Sequence, residues 1–159
     1  MNALVRFYAT RQNRPMMERD LANVPPASSE AVRRRMRSQR KRDTTPELLL
    51  RSALHAAGKR YRVHYPIPGS PRRSIDIAFL RRRLAVFVDG CFWHGCPVHG
   101  HQARVNQDWW ARKISRNRER DCETNQMLVD AGWTVLRIWE HEDLDTALSM
   151  VDDALTKTR

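Results

Sequence analysis

The chain has 159 residues, 41% of them hydrophobic, with 29 Lys or Arg against 18 Asp or Glu and a net charge of +11. That length suits one compact domain with a tail and is too short for two full cores, and the apolar share is too high for a wholly disordered chain. No apolar run approaches the roughly 20 residues of a spanning helix, and the N-terminus shows no secretory leader, so a cytoplasmic setting is expected. Three cysteines cannot form a disulfide framework, which leaves metal binding or catalysis for the thiols. The excess charge points to a polyanionic partner, nucleic acid ahead of an anionic membrane.

Most of that charge lies early. Residues 1–42 hold eleven bases and three acids, whereas 141–159 hold two bases and five acids. Residues 1–30 lack periodicity and carry Pro15, Pro25 and Pro26, the composition of a flexible basic arm, with 31–159 as the folded domain. Residues 31–38 read as a short helix or an ordered basic arm. Thr45 as N-cap and Pro46 at the first helical position predict a helix that Gly58 stops. Tyr61–Tyr65 alternates as a strand, and Pro66, Pro68, Gly69 and Pro71 predict a loop after it. Ser74–Leu80 and Leu84–Asp89 are apolar on both faces, as strands inside a covered sheet are, with a basic turn between them. Residues 90–107 form an irregular loop. Asp108 is expected to cap a long helix that Gly132 ends, before a strand over 133–139 and an amphipathic helix over 143–157. The order implies an α/β sandwich with one mixed sheet.

The strongest local signal is Cys91-Phe92-Trp93-His94-Gly95-Cys96-Pro97-Val98-His99. Its two thiolates and an imidazole, spaced C-x4-C-x2-H, suit a closed zinc site, with His141 or His101 as the fourth ligand. The alternative is buried thiols beside unrelated histidines. Cys122 lies in the long helix without ligand spacing and is expected to pack. Metal would hold the loop rigid and leave Phe92 and Trp93 to stack on bases, unless both belong to the core.

Asp76 interrupts an apolar strand, and a buried carboxylate is too costly to keep unless it is paired or ligates metal. A two-residue turn would pair 80 with 83, 76 with 87 and 74 with 89, so that Asp76 and Asp89 share a face and a divalent cation. A three-residue turn would separate them, and an Asp76–Arg pair is the alternative. Glu47 in a first helical turn and Asp121 in a charged helix also fit ordinary dipole and surface roles.

Val86–Pro97, Asn117–Asp121 and Gly132–Glu140 closely resemble the very short patch repair endonucleases, over about residues 31–143. The resemblance implies a restriction-endonuclease-like fold with a structural zinc. It also implies Mg²⁺-dependent nicking 5′ to the thymine of a T:G mismatch left by deaminated 5-methylcytosine. It makes Asp76 the magnesium carboxylate and His94 the group that activates water or transfers a proton. Glu47 and Asp121 match acids that hold metal-bound waters or position that histidine. Phe92 and Trp93 match intercalating aromatics, with Met36 as a wedge. Cys91, Cys96 and His141 match zinc positions, the last a cysteine in the best-known pattern, and His99 lies one residue beyond the usual place. Val88-Asp89 stands where that pattern has Thr-His, so Asp89 is a candidate direct ligand. A single acid cluster on a monomer would cut one strand, with duplex DNA as partner and a mismatch-repair protein as a further candidate. The rival readings are a restriction or defence nickase of the same fold and a non-catalytic zinc-stabilised DNA-binding module.

Overall fold

The computed structural model describes residues 24–40, 42–100 and 103–158. Residues 1–23, most of the expected arm, and His101 lie outside the described residues. Helix α1 spans Glu30–Ser38, and the Ser29 hydroxyl accepts from Val32 N at 3.2 Å as its N-cap. Helix α2 runs Thr45–Ala56 with Thr44, one residue earlier than expected, at the N-cap. The Thr44 hydroxyl caps no amide; it donates to Glu47 Oε1 at 3.1 Å. Gly58, at φ +74°, ends this segment in a left-handed conformation that other residues resist.

Four strands follow the expected order, β1 Arg62–Ile67, β2 Ser70–Phe79, β3 Leu84–Asp89 and β4 Thr134–Trp139. They lie side by side as β1-β2-β3-β4, with the first two pairings antiparallel and β3–β4 parallel. The expected loop over 66–73 shrinks to a turn at Pro68 and Gly69. Pro66 is tolerated inside β1 because that strand is an edge, where a missing N–H need not break a ladder. Between β2 and β3 a single 3-10 turn, Leu80–Arg82, leads to Arg83 in the left-handed region. The pairing Ile77–Val86, Ala78–Ala85, Phe79–Leu84 nevertheless follows the register of the two-residue turn. Asp76 therefore falls opposite Phe87 and on the face of Asp89.

Helix α3 spans Gln107–Asp130 and α4 Leu144–Lys157. Asn106, not Asp108, precedes α3 as the N-cap, and Asp108 sits in the first turn, where the helix dipole favours an acid. Asp143 caps α4 by accepting from Thr146 N at 2.9 Å. Alternate strand residues bury in opposite directions. Leu50 and Leu54 of α2 and Val151 of α4 pack on Ile77, Leu84 and Val86, whereas Leu128 of α3 packs with Ala78, Ala85 and Phe87. Helices thus cover both faces of a mixed sheet. Among the described residues no helix is long and apolar enough to cross a membrane.

Leu128 is fully buried and ties α3, which carries Asp121, to the sheet. Leu128→Ala should lower unfolding free energy by about 2–5 kcal/mol in urea titrations, with the midpoint falling and the slope unchanged.

Candidate active site and metal centre

A cleft of about 560 Å³ opens where β3 and β4 end. It is lined by Glu47 of α2, Asp76 of β2, Asp89 of β3, His94 of the following loop and Asp121 of α3, with Met36 and Trp93 in its wall. All the acids singled out in the sequence therefore meet in one place. A larger hollow of about 1020 Å³ lies beside Lys59–Arg62 and Leu80–Arg82 and contains none of them.

The acids differ in how their charge is met. Glu47 is buried and pairs with Arg51 Nη2 at 2.9 Å, while Arg51 Nη1 reaches Asp43 at 2.5 Å. Asp89 is buried and accepts from Arg137 Nη1 at 2.7 and 2.8 Å through its two oxygens. Asp121 receives His94 Nδ1 at 2.5 Å on one oxygen and has Arg137 Nη2 at 3.4 Å from the other. Asp76 accepts a hydrogen bond from Val88 N at 3.1 Å and meets no cation within ion-pair distance among the described residues. That bond takes up an amide just beyond the last paired residues of β2 and β3. Burial pushes the Asp76 carboxyl up to about 6, with the Glu47 and Asp89 charges adding to the rise against the Val88 amide. For Asp121 burial also acts upward, but the His94 hydrogen bond and the Arg137 charge outweigh it and the carboxyl lies below its ordinary value.

His94 is held from several sides. Its carbonyl accepts from Arg118 Nε at 3.1 Å, and the Gly95 carbonyl accepts from Arg118 Nη2. Asn117 Nδ2 donates to the Trp93 carbonyl at 2.9 Å. Gly95 lies so close to α3 that an added Cβ would stand 2.9 Å from Ile114 Cγ2, and its φ of +62° disfavours any side chain. With Nδ1 engaged by Asp121, Nε2 is the ring nitrogen that remains for proton transfer.

The metal-type residues also converge. Cys91, Cys96, His99 and His141 bring one ligand atom each to within 4.8 Å of the others. A tetrahedral zinc site needs ligand separations of about 3.3–3.8 Å, so small side-chain shifts suffice. Cys91 Sγ and His141 Nδ1 are 3.0 Å apart, and Cys96 Sγ takes the His99 amide at 3.4 Å. Burial and the adjacent Cys96 push the Cys91 thiol up to about 11, a cost that a cation on the thiolates would offset. Of the two candidates for the fourth ligand, His141 is in place. Cys122 is exposed rather than packed, because it faces away from the sheet-covering side of α3.

Phe92 and Trp93 do not simply project. They pack edge to face at 5.3 Å, and Trp110 of α3 meets them at 5.1 and 5.7 Å. Trp93 reaches the cleft and Phe92 does not line it. Sequence reasoning missed Trp110, Asn117, Arg137 and Glu140. Glu140 Oε1 accepts from Cys91 N at 2.6 Å and so joins the end of β4 to the start of the loop. Arg137, the one charge within an apolar strand, was the available signal for the partner of Asp89.

Because the Asp76 carboxyl titrates near 6 in the folded state and near 3.8 unfolded, its stabilising contribution is complete below about 3.8 and lost as pH rises through about 6. Asp76→Asn should therefore stabilise cation-free protein at pH 7.5 by up to about 3 kcal/mol, and thermal melts should show the gain shrinking toward pH 4. A gain independent of pH would contradict this.

Comparison with known proteins agrees with the cleft. A family model described as DNA mismatch endonuclease Vsr matches residues 28–101. The type II nicking enzyme V.NaeI of Lentzea aerocolonigenes is 48% identical over 124 residues, covering 77% of this chain and 75% of that one. The type II nicking enzyme V.XorIIP of Xanthomonas oryzae pv. oryzae is 42% identical over 118 residues, 72% of this chain and 83% of its own. The DNA mismatch endonuclease Vsr of Escherichia coli (strain K12) is 34% identical over 124 residues, covering 77% of this chain and 76% of that protein. With such coverage of whole relatives, and with Asp76, His94 and Asp121 gathered in one cleft, the chain belongs to the Vsr family of DNA mismatch endonucleases.

Proposed function

We propose that this protein nicks one strand of duplex DNA 5′ to the thymine of a T:G mismatch, by magnesium-dependent phosphodiester hydrolysis, in the repair of deaminated 5-methylcytosine. The observation that carries the reading is Asp76, an acid without a cationic partner among the described residues, in the same cleft as the His94–Asp121 pair. A buried carboxylate pushed up to about 6 is a hard-oxygen donor whose ionised form a divalent cation would favour. Asp76 would hold the magnesium, with Glu47 beside it to orient water. Magnesium there supplies Lewis-acid polarisation of the scissile phosphate and stabilises its developing charge. Asp121 holds the proton on His94 Nδ1, so Nε2 can accept a proton from the attacking water or pass one to the leaving oxygen. One such cluster serves one strand, which agrees with relatives named as nicking enzymes. The mixed sheet with helices on both faces supports a restriction-endonuclease-like architecture.

Recognition falls to the aromatic wall. Trp93, braced by Phe92 and Trp110, and Met36 from α1 flank the cleft, where insertion would unstack a base step. A mismatched pair is cheaper to open than a matched one, which selects the site energetically. Cys91, Cys96, His99 and His141 would hold a structural zinc that fixes the loop bearing Trp93 and His94. The second reading is a restriction or defence nickase of the same fold, and the more similar relatives are named as type II nicking enzymes.

Short duplexes carrying T:G, U:G, 5-methylcytosine:G or C:G, with Mg²⁺ or with EDTA, separate these readings. Nicking of T:G should dominate, need Mg²⁺ and fall at least about 1,000-fold in Asp76→Ala. Cleavage of C:G as fast as T:G would replace mismatch repair by the nickase reading, and wild-type nicking by Asp76→Ala would sink the mechanism. Elemental analysis of purified protein should give one zinc per chain, and its removal should lower the melting temperature by more than about 5 °C. Unchanged melting after zinc removal would end the structural role.

A further inference from the structure

We infer that Arg137 is a positioning residue for this reaction, and that Asp89 serves Arg137 rather than the cation. The inference rests on the reading of Asp76, His94 and Asp121 given above and concerns what holds them.

All three guanidinium nitrogens of Arg137 are engaged. Nη1 donates to both oxygens of Asp89 at 2.7 and 2.8 Å, Nε to Asn125 Oδ1 at 3.0 Å, and Nη2 stands 3.4 Å from Asp121 Oδ1. The group lies 4.7 Å from the centroid of the Phe87 ring, the residue opposite Arg137 in the β3–β4 ladder. Asp121 and Asn125 are one turn apart on α3, so Arg137 grips one face of that helix from the sheet. The planar fork ties strand to helix in one orientation, which a lysine ammonium cannot reproduce. The consequence reaches His94, because Asp121 offers its other oxygen to His94 Nδ1 at 2.5 Å. Fixing one Asp121 oxygen sets the direction of the other, and hence the plane of the imidazole.

Asp89 completes the unit. It is buried, both its oxygens face Arg137, and His94 Nδ1 is 3.7 Å away. A divalent cation on Asp89 would weaken those charge-assisted bonds and stand beside the largely buried guanidinium as a second positive charge, which is unfavourable. Asp76 carries no such commitment. The two acids that share a face of the sheet therefore divide the work, one for the cation and one for the scaffold.

Full-length Arg137→Lys, Asp89→Asn and the double variant test this on a T:G duplex at varied Mg²⁺. Each single change should lower kcat by about 10- to 100-fold, the scale of a small misplacement of a reacting group. KM for DNA and the Mg²⁺ concentration at half-maximal rate should stay within about twofold, and the double variant should be no slower than the worse single one. In magnesium-free protein, the downfield proton resonance of His94 Nδ1 should shift in both single variants. Wild-type kcat in Arg137→Lys would overturn the positioning role, and an Asp89→Asn protein whose Mg²⁺ requirement rises tenfold or more would overturn the inference by making Asp89 a ligand. An unshifted His94 resonance would do the same for the positioning route. Nicking by Asp76→Ala would instead strike the underlying reading, leaving the resonance and the non-additivity to stand by themselves.

Discussion

The parallel pairing of β3 with β4 is the constraint on which the site depends. Its register runs from Leu84–Thr134 to Asp89–Trp139, so both strands finish at the same edge of the sheet. Glu140 then continues the contact, its amide bonding the Asp89 carbonyl at 2.9 Å and its side chain the Cys91 amide at 2.6 Å. From that junction one strand leads into the loop of Cys91, His94, Cys96 and His99, and the other leads directly to His141. A Cys/His group assembled from two distant stretches of chain needs such a junction, because the loop has no ladder of its own. The same register places Arg137 opposite Phe87 and within reach of Asp89. Shifting β4 by one residue would turn Arg137 to the other face and separate the cysteines from their histidine.

Within that frame the electrostatics follow a simple rule. Acids gathered in a small cleft repel one another, and the fold relieves much of this by giving three of them an arginine. Arg51 serves Glu47, and Arg137 serves Asp89 and Asp121, the latter also bonded to His94 Nδ1. Asp76 is left with a backbone amide, and its carboxyl rises to about 6. A raised acid at a concave site is the pattern expected where a ligand completes the charge balance. The arginines therefore do more than neutralise: by satisfying their own partners they single out the carboxylate that stays open to a cation.

Much of this was legible in the sequence because it is local. Doubly apolar runs marked β2 and β3 as central strands, Gly58 and Gly132 marked helix ends, and the spacing of Cys91, Cys96 and His99 marked side chains that do converge, with His141 beside them. Pro66 misled because its tolerance in β1 depends on which strand is the edge, a property of the whole sheet. Ion-pair partners were hidden for a related reason. Asp89 and Arg137 lie 48 positions apart, and nothing in local composition links an acid at one strand end to a base inside another. Phe92 and Trp93 read as projecting aromatics because Trp110, the ring that braces them, belongs to the next helix.

The net charge takes on a definite form at the cleft. Seven bases and five acids line it, so the cleft that gathers the site's acids still presents a positive balance. Arg40, Arg42, Arg72 and Arg120 are exposed, and Arg42 and Arg73 tie the rim to β2 and α3 through Ser74 and Thr124. A phosphodiester can approach such a rim although carboxylates lie beneath it, since exposed charges act within roughly 10 Å and Glu47, Asp89 and Asp121 are already paired with arginines. Phosphate contacts of this kind position a duplex without reading it. The proposed recognition of a mismatch therefore falls to groups other than the arginine rim, and Trp93 and Met36 are apolar side chains in the wall of the cleft.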